Sequence, residues 1–107
     1  MSTAMIEAVA FDPVIHAPAR LQVMAVLAGV QEAEFAVLRD TTQTSDSVLS
    51  KHLSQLAEAG YLTLRKAAKD GRQRTWASLT AEGRRAFAAH VRALKAVIGA
   101  GEGLAAE

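Results

Sequence analysis

Apolar residues recur along the chain with helical spacing in four segments and with strand spacing in two. The first helix is predicted over about Pro18 to Ala28, because proline suits a first helical position and Gly29 suits a helix end. Its apolar stripe consists of Leu21, Met24, Ala25 and Ala28. A second, shorter helix is predicted from Phe35 to about Thr42, with Phe35 and Leu38 facing inward.

A polar run from Thr41 to Ser45 predicts a turn, since such side chains hydrogen-bond to nearby backbone and compete with a helix. Thr44 or Ser45 then caps a third helix, predicted from Ser45 to Ala59 and ended by Gly60. Its apolar stripe has the spacing i, i+4, i+7 and consists of Leu49, Leu53 and Leu56. The other face is small and polar and consists of Asp46, Ser47, Ser50, Lys51 and Ser54.

Two alternating stretches, Tyr61 to Lys66 and Arg74 to Leu79, predict a hairpin with Asp70 and Gly71 as turn residues. Thr80 suits the cap of a long final helix, predicted to end at about Ile98, with residues 99–107 as a frayed tail. The predicted fold is mainly α with a small β-hairpin: a three-helix core, a two-stranded hairpin and a long C-terminal helix. We expect one domain over residues 1–107, with its core in residues 12–80.

Charge is distributed unevenly, although the net charge of the 107-residue chain is only +1. Residues 65–74 carry five cations and one acid, which predicts a basic patch on the hairpin. The absence of cysteine excludes a disulfide framework and a thiolate metal site. No apolar run has the length of a secretory signal or a membrane span, so we expect a soluble, cytoplasmic protein.

Two helices joined by a polar turn and followed by a basic hairpin are typical of a winged helix-turn-helix that binds double-stranded DNA. The third helix would enter the major groove, because its small polar side chains permit close approach to the bases. The hairpin, or wing, would contact the DNA backbone or minor groove. The predicted DNA contacts are Thr44, Ser45, Asp46, Ser47, Ser50, Lys51, Ser54, Lys66, Lys69, Arg72 and Arg74.

The stretches SDSVLSKHLSQLAEAGYLTLRK and DGRQRTWASLTAEGRRAF resemble the recognition helix, wing and following helix of MarR- and ArsR-like winged-helix regulators. The resemblance covers about residues 12–98. It implies a transcriptional regulator that binds a pseudo-palindromic operator as a cytoplasmic homodimer, with its outer helices forming the dimer.

The apolar stripe of the final helix either closes the monomer core or meets a second copy. A domain that already has three helices and a hairpin for its core favours the second copy, through segments 1–20 and 81–98. Burial of four such side chains contributes about 1.5–3 kcal/mol each before association costs, so the N-terminal segment is expected to add to the interface. The predicted interface consists of Met5, Ile6, Val9, Phe11, Phe87, Val91, Leu94 and Ile98.

Histidines and the tryptophan are the remaining candidates for chemistry. His16, His52 and His90 each lack a second ligand at i+3 or i+4, which favours structural roles over metal binding, and His52 is expected to hydrogen-bond to another helix. Trp76 either covers the outer side of the hairpin or lines a small-molecule pocket, and packing is favoured.

No catalytic motif, metal site or cofactor site is recognised, so an enzyme is not expected. Two alternatives to a plain DNA-binding regulator stay open. One is a winged-helix protein-interaction module without DNA affinity. The other is a regulator switched by a small-molecule effector, for which the chain offers no ligand-specific polar cluster.

Overall fold

The computed structural model describes residues 11–106 as four helices and three strands. In chain order these are α1 (Pro18–Ala28), β1 (Ala33–Glu34), α2 (Phe35–Thr42), α3 (Asp46–Glu58), β2 (Leu62–Lys69), β3 (Arg72–Leu79) and α4 (Ala81–Ala106). This architecture confirms the predicted winged helix-turn-helix.

Local signals set the bounds of the first three helices. Pro18 occupies the start of α1, and the N–H of Gly29 closes its end on the carbonyl of Val26. After α2, Gln43 takes a left-handed conformation with φ of 56°, which turns the chain toward α3. Ser45 caps α3 by accepting a hydrogen bond from the N–H of Val48 at 3.3 Å. The predicted turn is therefore shorter than expected, because Thr41 and Thr42 still belong to α2.

The wing is a hairpin with a two-residue turn, as predicted. Asp70 and Gly71 have φ of 53° and 76°, the conformation that a tight hairpin turn requires at both positions. The strands run closer to this turn than predicted, since pairing continues to Lys69 opposite Arg72. Each strand gains ladder hydrogen bonds by this extension, and the exposed face tolerates the polar residues near the tip.

The sheet has a third strand in addition to the two of the predicted hairpin, and the sequence did not indicate it. β1 adds to the free edge of β3, with Ala33 opposite Ala77 and Glu34 opposite Trp76. A strand of two residues has no periodicity of its own, so only its pairing with a distant strand defines it. It fixes the root of the wing to the segment that leads into α2.

One core joins all the helices to the wing. Leu27 from α1 and Leu38 from α2 pack with the buried leucines of α3, and Leu62 and Ala77 extend this cluster into the hairpin. The three buried leucines of α3 are those predicted, namely Leu49, Leu53 and Leu56. Their burial leaves the opposite face of α3 outside the core.

The segment Gly60-Tyr61 is the junction of α3, the wing and α4. Thr80 donates its N–H to the carbonyl of Tyr61 and its hydroxyl to the carbonyl of Gly60, and its hydroxyl accepts the N–H of Gly83. The backbone of Gly83 packs directly against Tyr61. A β-carbon at position 83 would be 2.2 Å from the carbonyl oxygen of Tyr61. The phenol of Tyr61 donates to the carboxylate of Asp12, which ties the N-terminal segment to the same point.

The frayed tail predicted for residues 99–107 was wrong over most of its length, because α4 continues to Ala106. The three glycines of this segment lower helix propensity, but they alternate with helix-forming residues, and an established helix extends with one hydrogen bond per added residue. The described molecule is accordingly elongated, measuring 60 × 24 × 22 Å. Val97, Ile98 and Leu104 are exposed on this last part of α4.

Candidate nucleic-acid interface

Helix α3 presents a mostly polar surface on the side opposite its buried leucines. Ser45 ends the preceding turn and caps the helix, and the exposed polar side chains along it include Asp46, Ser47, Ser50, Lys51 and Ser54. Serine is small enough to allow an approaching surface to contact the helix backbone closely. Thr44 is half-buried and hydrogen-bonded to the hydroxyl of Thr42 at 2.9 Å, so it lies at the margin of this surface.

Arg20 of α1 fixes the position of α3 through hydrogen bonds to two of its side chains. Its guanidinium donates to Nδ1 of His52 at 3.1 Å and to the side-chain oxygen of Gln55 at 2.7 Å. An arginine offers donors only, so Nδ1 of His52 must accept. The predicted hydrogen bond between His52 and another helix is confirmed, with His52 as the acceptor. Burial, with the nearby positive charge of Arg20 second, lowers the pKa of His52 and favours its neutral, accepting form.

The wing and α3 enclose a groove between them. Ser50 and Ser54 line it from the helix, and Lys66 and Thr75 line it from paired positions on β2 and β3. The rest of the lining is apolar and consists of Phe35, Leu53 and Leu64. Hydroxyl and ammonium groups facing one another across a groove form a suitable site for an extended anionic chain.

Two of the wing's five cations pair with acids of β1 and of the residue just before it. Arg65 pairs with Glu32 at 2.7 Å, and Arg74 pairs with the mostly buried Glu34. The Nε of Arg74 is itself buried and has no hydrogen-bond partner within residues 11–106. Arg74 was predicted to contact DNA, and in the structure its guanidinium is paired with Glu34.

Three of the predicted wing cations extend into solvent. Lys66 and Arg72 form no ion pair with the described residues, and the same is true of Lys69, whose ammonium lies 5.3 Å from the ring centre of Trp76. Arg65 also lies over this ring, at 5.5 Å. Trp76 thus packs on the hairpin surface under two cations, which is the packing role favoured from the sequence.

Asp46, another predicted DNA contact, accepts from the guanidinium of Arg39 at 3.2 Å. Arg39 also meets Asp40 at 3.3 Å, so a cation of α2 lies between two carboxylates. This one cation offsets only part of the negative charge of the two carboxylates. Its position beside Asp46 reduces, but does not abolish, the repulsion between the first turn of α3 and a polyanion.

The residues predicted to form the dimer interface differ in how far they are buried within the monomer. Phe87 packs against the monomer core, and Phe11 stacks on His16 with ring centres 4.4 Å apart. Val91 and Leu94 are half-buried, whereas Ile98 is 56% exposed. Met5, Ile6 and Val9 lie outside the described residues.

Some residues of the candidate interface were missed from the sequence. Val48 is an exposed valine on the polar face of α3, and a signal was present, because it lies outside the i, i+4, i+7 stripe of leucines. The roles of Glu32 and Glu34 as partners of wing arginines were also missed. These ion pairs join positions 33 and 40 residues apart, so no local sequence pattern indicates them.

His16 and His90, for which the sequence favours structural roles, face each other with 3.1 Å between Nδ1 and Nε2. The N–H of Asp12 donates to Nδ1 of His90 at 3.2 Å, so neutral His90 carries its proton on Nε2 and donates it to His16. This tautomer leaves His90 no lone pair directed at His16 with which to bind a metal. Within residues 11–106, no group of three or more His, Cys, Asp or Glu side chains could hold a metal ion.

Stability is expected to fall as the pH is lowered from 7 to 5. Burial, then repulsion from His16, lowers the pKa of His90, which is 2% exposed, below its ordinary value of 6.5. As the pH falls, the unfolded chain therefore binds a proton on this histidine before the folded chain does. The contribution of neutral His90 to the free energy of unfolding is complete above about pH 6.5 and is lost as the pH falls through the lowered pKa. Urea unfolding at several pH values measures this slope. The slope should be smaller in His90→Gln, and an unchanged slope would assign the effect to other groups.

No helix in the described part of the chain has the length and apolar character needed to cross a membrane.

Comparison with known proteins gives concordant matches. A family model described as a winged helix DNA-binding domain matches residues 19–98. An uncharacterized protein of Methanocaldococcus jannaschii is 31% identical over 74 residues, which are 69% of this chain and 80% of that protein.

Solved structures share the fold. A transcriptional regulator homologue from Pyrococcus horikoshii OT3 superposes with a TM-score of 0.81 at 23% identity, over 92% of this chain and 97% of that one. A MarR family transcriptional regulator from Silicibacter pomeroyi superposes with a TM-score of 0.63 at 22% identity, over 78% of this chain and 54% of that one. At these identities the likeness establishes the fold alone.

Proposed function

Since the chain belongs to the winged helix DNA-binding domain family, we propose that it is a sequence-specific transcriptional regulator that binds double-stranded DNA as a homodimer. Its family and its fold support a DNA-binding regulator and point away from an enzyme. The residue-level contacts and the dimer described below are parts of this proposal.

The observation that carries the proposal is the exposed polar face of α3 beside a groove bounded by the wing. In this arrangement α3 lies in the major groove, and Ser47, Ser50, Lys51 and Ser54 are the side chains nearest the bases. One DNA strand would follow the groove between α3 and the wing, where hydroxyl groups and Lys66 meet its phosphates.

The wing supplies the contacts that do not depend on sequence. Lys66, Lys69 and Arg72 are placed to neutralise phosphates of the backbone or to reach the adjacent minor groove. Arg74 has a different role in this proposal, because Glu34 holds its guanidinium against the domain. We assign it to fixing the direction of the wing.

A second copy is proposed to cover the projecting part of α4. The apolar stripe of this helix continues past the core as Val97, Ile98 and Leu104, of which Leu104 is 75% exposed. Isolated exposed apolar residues are ordinary, but a stripe along a projecting helix is typical of an interface. Residues 1–10 are proposed to add to it, as the sequence suggests.

Selection of bound fragments tests this function. Purified protein incubated with a random duplex library at about 0.15 M salt is expected to enrich an inverted repeat with half-sites about one helical turn apart. Lys51→Ala should alter the preferred bases, whereas Arg72→Ala should weaken binding to all sequences alike. Both side chains are exposed, so neither change should unfold the domain. Equal loss of all sequences in Lys51→Ala would contradict the assigned base-reading face.

The protein-interaction module is favoured by one observation. Glu32 and Glu34 neutralise two arginines of the wing, so the wing is less basic than its sequence indicates. A module of this kind would give no enrichment of any duplex at about 0.15 M salt. It would instead bind a partner protein through α3 and the wing.

A further inference from the structure

One side chain on the exposed face of α3 differs in chemistry from its neighbours. Val48 is 45% exposed, whereas the leucines of the helix are buried and Ala57 is half-buried. A valine at a solvated helical position gains little from burial and is a poorer helix former than alanine. Neither the core nor the helix itself accounts for an apolar, β-branched side chain at this position.

The position of Val48 places it among the residues assigned to the bases. Its N–H is the one that Ser45 caps, so it lies in the first turn of α3. Ser47 precedes it, and Lys51 follows one turn later on the exposed side. In helix-turn-helix proteins the first residues of the recognition helix contact the base edges.

The major groove offers one apolar group to such a side chain, the C5-methyl group of thymine. The other groups that distinguish the base pairs there are hydrogen-bond donors and acceptors, which valine cannot satisfy. We propose that Val48 contacts a thymine methyl group in each half-site and so determines the base at that position. This inference rests on the proposed function, because it requires α3 to lie in the major groove.

Removal of the methyl group from the DNA tests the contact without altering the protein. Each thymine of the selected half-site is replaced in turn by uracil, which pairs identically but lacks the methyl group, and the dissociation constants are compared. One position should weaken wild-type binding about four-fold in one half-site and about fifteen-fold in both, the affinity equivalent of one buried methylene group per half-site.

Val48→Ala should bind thymine and uracil duplexes equally at that position. The matched control is Val37→Ala, since Val37 is 50% exposed but lies on α2, and this variant should keep the full wild-type preference for thymine. Both changes replace an exposed helical valine by a better helix former, so the fold should be retained.

The outcomes separate this inference from the function beneath it. If wild-type protein binds its selected duplex but no uracil substitution is less harmful in Val48→Ala than in wild type, the thymine contact is wrong and the DNA-binding function stands. If wild-type protein selects no duplex, the proposed function fails, and the assignment of Val48 fails with it.

Discussion

Gly83→Ala is expected to destabilise the protein by about 3 kcal/mol or more, the upper end of what overpacking costs. The added β-carbon would lie 2.2 Å from the carbonyl oxygen of Tyr61 and 3.0 Å from its carbonyl carbon and Cα. These are backbone atoms, and that carbonyl already accepts the N–H of Thr80 at 3.0 Å. Relief of the clash therefore requires α4 to separate from the junction at Gly60-Tyr61.

Gly99→Ala is the matched control. Gly99 lies on the same helix, but a β-carbon there would meet nothing within 4 Å. This change should stabilise the protein by about 0.5–1 kcal/mol, because alanine favours a helix more than glycine does. Urea unfolding followed by circular dichroism at one fixed protein concentration measures both changes, since association would make stability depend on concentration. Equal stabilities of the two variants would show that α4 does not approach Tyr61 this closely.

The elements that the sequence predicts well are those with local causes. Pro18 and Gly29 bound α1, Ser45 caps α3, and Asp70-Gly71 forms the turn of the wing, each through chemistry within a few residues. The exposed and buried faces of α3 were also predictable. Its leucines are spaced by four and then three residues, so they share one face of the helix, and that face packs against the core.

The features that were missed depend on residues far apart in the chain. β1 exists only through its pairing with β3, and His16 meets His90 across 74 positions. The ion pair of Glu34 with Arg74 has the same origin. This ion pair changes the candidate site, because a list of basic residues cannot distinguish a cation that forms no ion pair from one that an acid holds.

The double variant Lys66→Ala, Arg72→Ala is expected to weaken DNA binding about 100- to 1,000-fold at 0.15 M salt. A dimer would lose four phosphate contacts, and each contact releases counterions from the DNA. The slope of log K against log salt should therefore become less negative by about 3 to 4. Both side chains lie in the wing and form no ion pair with the described residues, so stability should change little.

Two further variants test whether the effect on DNA binding depends on where the removed charges lie or only on how many are removed. Arg85→Ala, Arg92→Ala removes the same charge from exposed positions of α4 and should leave the salt slope nearly unchanged, because these arginines lie outside the α3 and wing surface. Arg74→Ala should also leave the slope unchanged, but it should lower the free energy of unfolding, since it strands the mostly buried Glu34 without its partner. Fluorescence anisotropy at several salt concentrations measures the slopes. If Arg74→Ala reduces the slope as much per residue as the double variant does, then Arg74 leaves Glu34 and binds phosphate, and the ion pair is exchanged when DNA binds.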